Sequence, residues 1–132
     1  MAHLDIEFET PVRLIGTVRM GFPAESLDLM VEHLKIDRLV LLRILGISGR
    51  TVQRKHQLAE RLSPSASDRL ARIGRIFELA VEVLGNEDKA AEWLKRPSRP
   101  LGNEAPIELL DTDAGTQQVE RELRQIEYSF AY

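Results

Sequence analysis

Helical periodicity along most of the chain, broken at intervals by proline and glycine, predicts an all-α fold. It divides into two small helical units, residues 1–62 and 63–132, the first holding a helix-turn-helix. Three observations carry this. Apolar residues recur at three-to-four spacing in segment after segment. Prolines at 11, 23, 64, 97, 100 and 106 and glycines at 21, 46, 49, 85, 102 and 115 separate those segments. A length of 132 residues suits one compact domain or two small ones.

Residues 4–19 contain a mixed apolar stretch, Val12 to Val18, that fits a short strand, a weak helix or an arm equally. Leu27, Met30, Val31 and Leu34 then define a helix from about 24 to 34. Asp37 is placed to cap the next helix, which carries Leu39, Leu42 and Leu45 and stops at Gly46. Ser48 caps a third, over Gly49–Arg61, whose apolar line is Val52, Leu58 and Leu62. The longest helix runs from about 66 to 84. Its stripe is Leu70, Ile73, Phe77, Val81 and Leu84, and Gly85 ends it. Asn86 caps a short helix ending near Arg96, with Ala90, Trp93 and Leu94 inward and the Trp93 indole hydrogen-bonded. Pro97–Pro100 forces extended backbone, and Pro106 opens a short helix through Leu110. Thr112 or Asp113 starts the last helix, with Val119, Leu123 and Ile126 on one face. The seam between the units, Leu62–Ser65, is too short for a free linker, so the halves pack together.

The net charge of -3 conceals an asymmetry. Between Lys35 and Arg61 stand seven lysines and arginines against two acids; from Ser63 onward, nine against thirteen. A locally basic segment on an acidic chain is the footprint a polyanion partner leaves, and also what chance clustering on solvated faces leaves. The spacing Asp37–Leu45, Gly46-Ile47-Ser48, Gly49–Arg61 is that of a helix-turn-helix, with Ile47 plugging the corner. It presents Ser48, Arg50, Thr51, Gln53, Arg54 and Lys55 near the start of the second helix, where such motifs meet bases and phosphates. Arginine and glutamine suit bidentate contact with guanine and adenine. An ordinary αα-corner with an exposed basic helix gives the same pattern.

Chemistry of other kinds is poorly supported. There are no cysteines, which removes disulfides, thiolate metal sites and cysteine nucleophiles and fits a reducing cytoplasm. No apolar run approaches the ~20 residues of a membrane span, and the first ten residues, with Asp5, Glu7 and Glu9, lack a secretory pattern. His3, His33 and His56 are scattered; His33 sits late in a helix, where a solvated or dipole-facing role is expected, and His56, on the second helix of the motif, reads as a surface residue ahead of a phosphate contact. The acids Glu104, Glu108, Asp111 and Asp113 read as helix-start residues and Ser63, Ser65 and Ser67 as caps. An interaction protein without cofactor or metal is expected, and not an enzyme. Asp68 and Arg69 fall in the first turn of the long helix, where the arginine is placed to pair with an acid of a neighbouring helix.

The chain end is unusual. Three of six Tyr/Phe residues fall between Ile126 and Tyr132, whereas chain ends are normally polar and frayed. Ile126, Tyr128, Ser129, Phe130, Ala131 and Tyr132 are therefore expected to bury against something. That is a partner for the tail as a unit, or this protein's own core, with Tyr128 the residue best suited to the core.

An ordered set of residues in the second half gives that partner a name. Ser67-Asp68-Arg69-Leu70, Trp93-Leu94, Pro97, Leu101-Gly102, Pro106, Leu109-Leu110, Thr112, Gly115 and Ile126-Glu127 stand in the order of the toxin-binding domain of Xre/MbcA/ParS-type antitoxins, which this segment resembles. The stretch Leu45–Lys55 is similar to the degenerate Xre/Cro-like helix-turn-helix that precedes it. The resemblance implies an antitoxin of a bacterial type II pair. Its usual partner is a RES-domain toxin that depletes NAD and whose active-site cleft the antitoxin covers. It further implies a homodimer that represses its own operon through operator DNA. The alternative is a stand-alone helix-turn-helix transcriptional regulator whose C-terminal unit serves dimerisation.

Overall fold

The computed structural model describes residues 11–131, and among them all regular structure is helical. The elements are α1 (Pro11–Met20), α2 (Glu25–Leu34), α3 (Arg38–Leu45), α4 (Gly49–Gln57), α5 (Pro64–Leu84), α6 (Glu87–Lys95), two 3₁₀ segments (Arg99–Leu101 and Pro106–Asp111) and α7 (Asp113–Ala131). The open reading of residues 4–19 thus resolves to a helix from Pro11; what precedes it lies outside the described residues.

α5 is the spine. Ser63 Oγ accepts from the Ala66 N–H at 3.1 Å, Pro64 takes the first turn, and Gly85 ends the helix at φ +104°. The helix is buried on more than one face. α1, α2 and α3 pack on it from one half of the chain, and α6, α7 and the second 3₁₀ segment from the other. Leu70, Ile73, Ile76, Phe77 and Ala80 are therefore all inaccessible, in one continuous core with Leu27, Met30 and Leu34 of α2 and Leu123 of α7. Fully burying a side chain of this size contributes roughly 1.5–3 kcal/mol.

Polar contacts fix how the halves meet, and they explain the Ser67-Asp68-Arg69-Leu70 run. Ser67 is fully buried and its Oγ accepts the Phe22 N–H at 2.9 Å, tying the α1–α2 corner to the spine. Leu62 N–H donates to Phe22 O at 2.8 Å, so the chain entering α2 and the chain leaving α4 run alongside each other. Gly21 is required there, since its φ is +93° and a Cβ would stand 2.0 Å from Leu62 O. Arg69 does not pair with an acid as expected. Its guanidinium donates to the Ile44 carbonyl at 3.2 Å, at the C-terminal end of α3, where helix carbonyls lack partners and a cation is favoured. Asp68 pairs instead with Arg72, one turn on.

Other expectations change for tertiary reasons. α4 ends at Gln57 instead of Arg61, because the chain turns back through Ala59 (φ +55°) to join Phe22 and Pro23. Leu58 is consequently exposed, and Leu62 enters the core from outside the helix. Leu39 is 72% exposed: steps of three residues fall short of a full turn, and the α3 core face is Leu41, Leu42, Ile44 and Leu45. His33 is not solvated. Its side chain is 11% exposed, Nδ1 lies 3.0 Å from Glu87 Oε1, and its ring packs 6.1 Å from that of Phe77, because the start of α6 docks on the end of α2. Lys35 and Asp88 meet at 2.5 Å at the same junction, and Lys95 Nζ donates to Lys35 O. His56 is a surface residue, 3.4 Å from Glu25. Trp93 is only half-buried, and its indole N–H finds no acceptor among the described residues. Pro97–Pro100 is not extended throughout: Ser98 and Glu104 bridge around a 3₁₀ turn at Arg99–Leu101. The short helix expected from Pro106 is there, as a 3₁₀ segment that runs to Asp111.

Candidate DNA-facing helix and partner-binding tail

The α3–α4 corner is built by three local devices. Asp37 caps α3 by accepting from Leu39 N–H at 2.8 Å. Gly46 turns the chain at φ +72°, a position where an added Cβ would also press on the Arg69 guanidinium at 2.8 Å. Ser48 caps α4, accepting from Thr51 N–H at 3.1 Å. Ile47 is half-buried against the core, as the corner requires.

α4 buries only Val52, which fixes which residues face away. At about 100° per residue, Arg50, Arg54 and Gln57 lie opposite Val52, and Gln53 flanks them. All four are exposed. Arg50 and Arg54 pair with no acid among the described residues. Most other arginines are engaged in structure: Arg38 with Asp28, Arg43 with Glu108, Arg61 with Gly21 O, Arg69 with Ile44 O, Arg75 with Glu120. The six residues expected to face DNA therefore separate. Arg50, Gln53 and Arg54 are presented. Ser48 and Thr51 spend their hydroxyls on each other, at 2.9 Å, and on the cap. Lys55 is half-buried, 3.9 Å from Glu60. Gln57 was missed; the signal was available, since it is seven residues past Arg50 on the same line.

α7 is the other exposed feature. Gly115 lets it start against the 3₁₀ segment, because a Cβ there would stand 2.0 Å from Leu109 O. Thr112 Oγ1 accepts from Gly115 N–H at 2.9 Å, and the buried Thr116 hydroxyl donates to Thr112 O at 2.7 Å. Thr116, Val119 and Leu123 form the buried line of the helix, and Ile126 and Phe130 continue it at the same three-four spacing. Ile126 is half-buried and Phe130 is 75% exposed. Tyr128 points the other way, beside Arg121 and Gln125, and is 63% exposed. Tyr128 is thus not the core residue expected of the tail: the helix places it about 140° from Leu123, and Phe130 holds the core-facing position. Ser129 Oγ donates to Gln125 O at 2.9 Å and is otherwise at the surface. Ala131 ends the helix, and Tyr132 lies outside the described residues.

Among the described residues no group of three or more His, Asp or Glu side chains is arranged to hold a metal ion. No helix among the described residues is long and apolar enough to cross a membrane.

Comparison with known proteins agrees with this two-part layout. Residues 13–75 match the model of the antitoxin Xre-like helix-turn-helix domain. Residues 79–128 match that of the antitoxin Xre/MbcA/ParS C-terminal toxin-binding domain. The two matches meet inside α5, and the second ends at Tyr128, before Ser129 and Phe130. Among similar proteins is an antitoxin Xre of Yersinia enterocolitica, 32% identical over 80% of this chain and 72% of that one. Another antitoxin Xre, of Pseudomonas putida, is 36% identical over 95% of this chain and 78% of its own length. A Sphingobium protein named Prs ADP-ribosylating antitoxin is 32% identical, with 89% of this chain and 80% of that one covered. A helix-turn-helix of Xre type joined through one long helix to a toxin-binding domain, with such relatives over most of its length, places the chain in the Xre family of toxin–antitoxin antitoxins.

Proposed function

We propose that this antitoxin neutralises a RES-type, NAD-degrading toxin by covering the toxin's active-site cleft with the end of α7. We further propose that it represses its own operon through α4, acting as a homodimer in the cytoplasm. The observation that most supports the first part is the end of α7 itself. The helix that closes the toxin-binding domain presents Tyr128 and Phe130 to solvent in its last turns, with Ile126 half-buried. Exposed aromatics on a partner-binding domain are the residue type that anchors interfaces, often at 2 kcal/mol or more each. Arg50, Gln53, Arg54 and Gln57 support the second, as an outward line of donors whose arginines pair with no acid among the described residues. The test of neutralisation is NAD consumption by the purified protein encoded beside this gene. Equimolar antitoxin should abolish it, and a chain lacking Tyr128–Tyr132 should not. Undiminished consumption with full-length antitoxin would refute the reading.

The Sphingobium relative favours a second version of the partner, a toxin that transfers ADP-ribose to a protein. Both reactions draw on NAD. Labelled NAD separates them, since label ends on protein in the one and on small molecules in the other. A neighbour that neither consumes NAD nor binds the chain would instead favour a stand-alone regulator.

A further inference from the structure

α1 is apolar on two sides. Leu14 and Val18 turn toward α5 and are half-buried, while Val12 and Ile15 are exposed. An open groove runs between α1 and α5, with Leu14, Ile15 and Val18 on one wall, Ala71 on the other and charged side chains along the rim. Most of those charges are already engaged: Arg72 with Asp68 and the Leu110 carbonyl, Arg75 with Glu120, Asp113 with Gln117. Arg19 pairs with no acid among the described residues. α1 itself carries Arg13 and Arg19 and no acid.

The direction of α1 decides what can reach this groove. Phe22, just past its end, is tied to Ser67 at the start of α5, and Leu14 and Ile15 line the groove that extends to Arg75. α1 therefore runs antiparallel to α5, and Pro11 points toward the later turns of that helix. In the ten residues before Pro11, Leu4, Ile6 and Phe8 alternate with Asp5, Glu7 and Glu9. An extended chain of that pattern has one apolar side and one acidic side. The residue before a proline favours extended backbone. Leu4–Glu9 would span roughly 20 Å when extended, against about 15 Å for the whole of α1. Running straight on would carry its acids along the face of α5 that continues from Arg75 to Glu78 and Glu82. Doubling back carries them to α1 and its arginines. The α1 of a second copy laid here would set arginine against arginine, which is unfavourable.

We propose that Leu4–Glu9 doubles back as an extended strap along the α1–α5 groove, its apolar side over Ile15, Val18 and Ala71 and its acidic side toward Arg19. The strap closes an apolar surface that would otherwise be open to other chains. The proposal goes beyond the toxin and operator readings above and stands independently of both.

The chain has no cysteine, so a pair introduced into the full-length protein reports which end of α5 the segment reaches. His3→Cys with Asp68→Cys, at the rim of the groove, tests the strap; His3→Cys with Glu82→Cys tests the straight path. Under mild oxidation the first pair should close an intrachain disulfide about ten-fold faster than the second. Ile6→Asp should erase that preference, and Arg19→Glu should reduce it about three-fold at low salt and little at high salt. Asp68 and Glu82 are exposed, and unchanged thermal melts will show that the variants fold. Equal rates for the two pairs, or faster closure to Glu82→Cys, overturn the strap. Covalent dimers in place of intrachain closure assign the groove to the segment of a second copy and also overturn it. A preference that survives Ile6→Asp overturns the apolar contact on which the strap depends.

Discussion

Replacing Ser67 with alanine removes one atom and should cost more than any surface change in this protein. Ser67 is fully buried on α5, and its Oγ is the acceptor, at 2.9 Å, for the backbone N–H of Phe22. Phe22 is itself buried, and the neighbouring carbonyls are engaged: Leu62 N–H and the Arg61 guanidinium take Phe22 O and Gly21 O. With the hydroxyl gone, a main-chain donor is left in the core with no acceptor and no route to water. Stranding such a group costs about 1–3 kcal/mol, and the small void adds to that. In a chain of this size the loss corresponds to a fall in Tm of about 4–10 °C. Urea unfolding followed by circular dichroism would read it as a lower midpoint at constant slope. Ser65→Ala, an exposed change two residues away, is the control and should stay within about 0.5 kcal/mol. A Ser67→Ala midpoint equal to that of the control would show that this bond does not hold the α1–α2 corner to the spine, and the argument would fail.

Two glycines give opposite outcomes. Gly115→Ala drives a Cβ into Leu109 O and should destabilise by about 1–3 kcal/mol. Gly16→Ala meets nothing within 4 Å in the middle of α1 and should stabilise by about 0.5–1 kcal/mol; thermal melts of both check this. In the α2–α6 junction, a hydrogen bond from Lys35 holds the Asp88 carboxyl below its usual range and raises the Lys35 ammonium. Asp88's contribution is present above its unfolded value and is lost as pH falls through the depressed one. Lys35's is present below its unfolded value and lost as pH rises through the raised one. Asp88→Asn should therefore flatten the acid limb of stability against pH, and an unchanged limb would contradict the pairing. Arg50→Ala with Arg54→Ala should weaken binding to the upstream DNA and lower the salt slope by about 2 if each contacts a phosphate; an unchanged slope in a mobility-shift series would remove α4 from the DNA.

What was legible in the sequence was local. Asp37, Ser48, Ser63, Asn86, Gly46 and Gly85 each act on backbone groups within four residues, so helix ends could be read from residue type alone. What was not legible depended on the neighbour. Leu39 looked like a core residue until α3 was oriented by Leu41 and Ile44. His33 looked solvated until α6 arrived with Glu87. The tail showed its aromatic content, and the spacing of Val119, Leu123 and Ile126 already carries on to Phe130 and turns Tyr128 away. What that spacing does not display is that Phe130, on the core-facing line, is left 75% exposed. Likewise, Arg69 stood out in the sequence, but its true partner, the carbonyl end of α3, is a backbone group that sequence does not display.

The central claim is that this antitoxin silences a toxin through the end of α7. Its most direct test is co-expression with the neighbouring gene in a bacterial host, reading growth and cellular NAD together. The full chain should restore both, and the chain lacking Tyr128–Tyr132, still folded and still expressed, should restore neither. Equal rescue by the truncated chain would contradict the account.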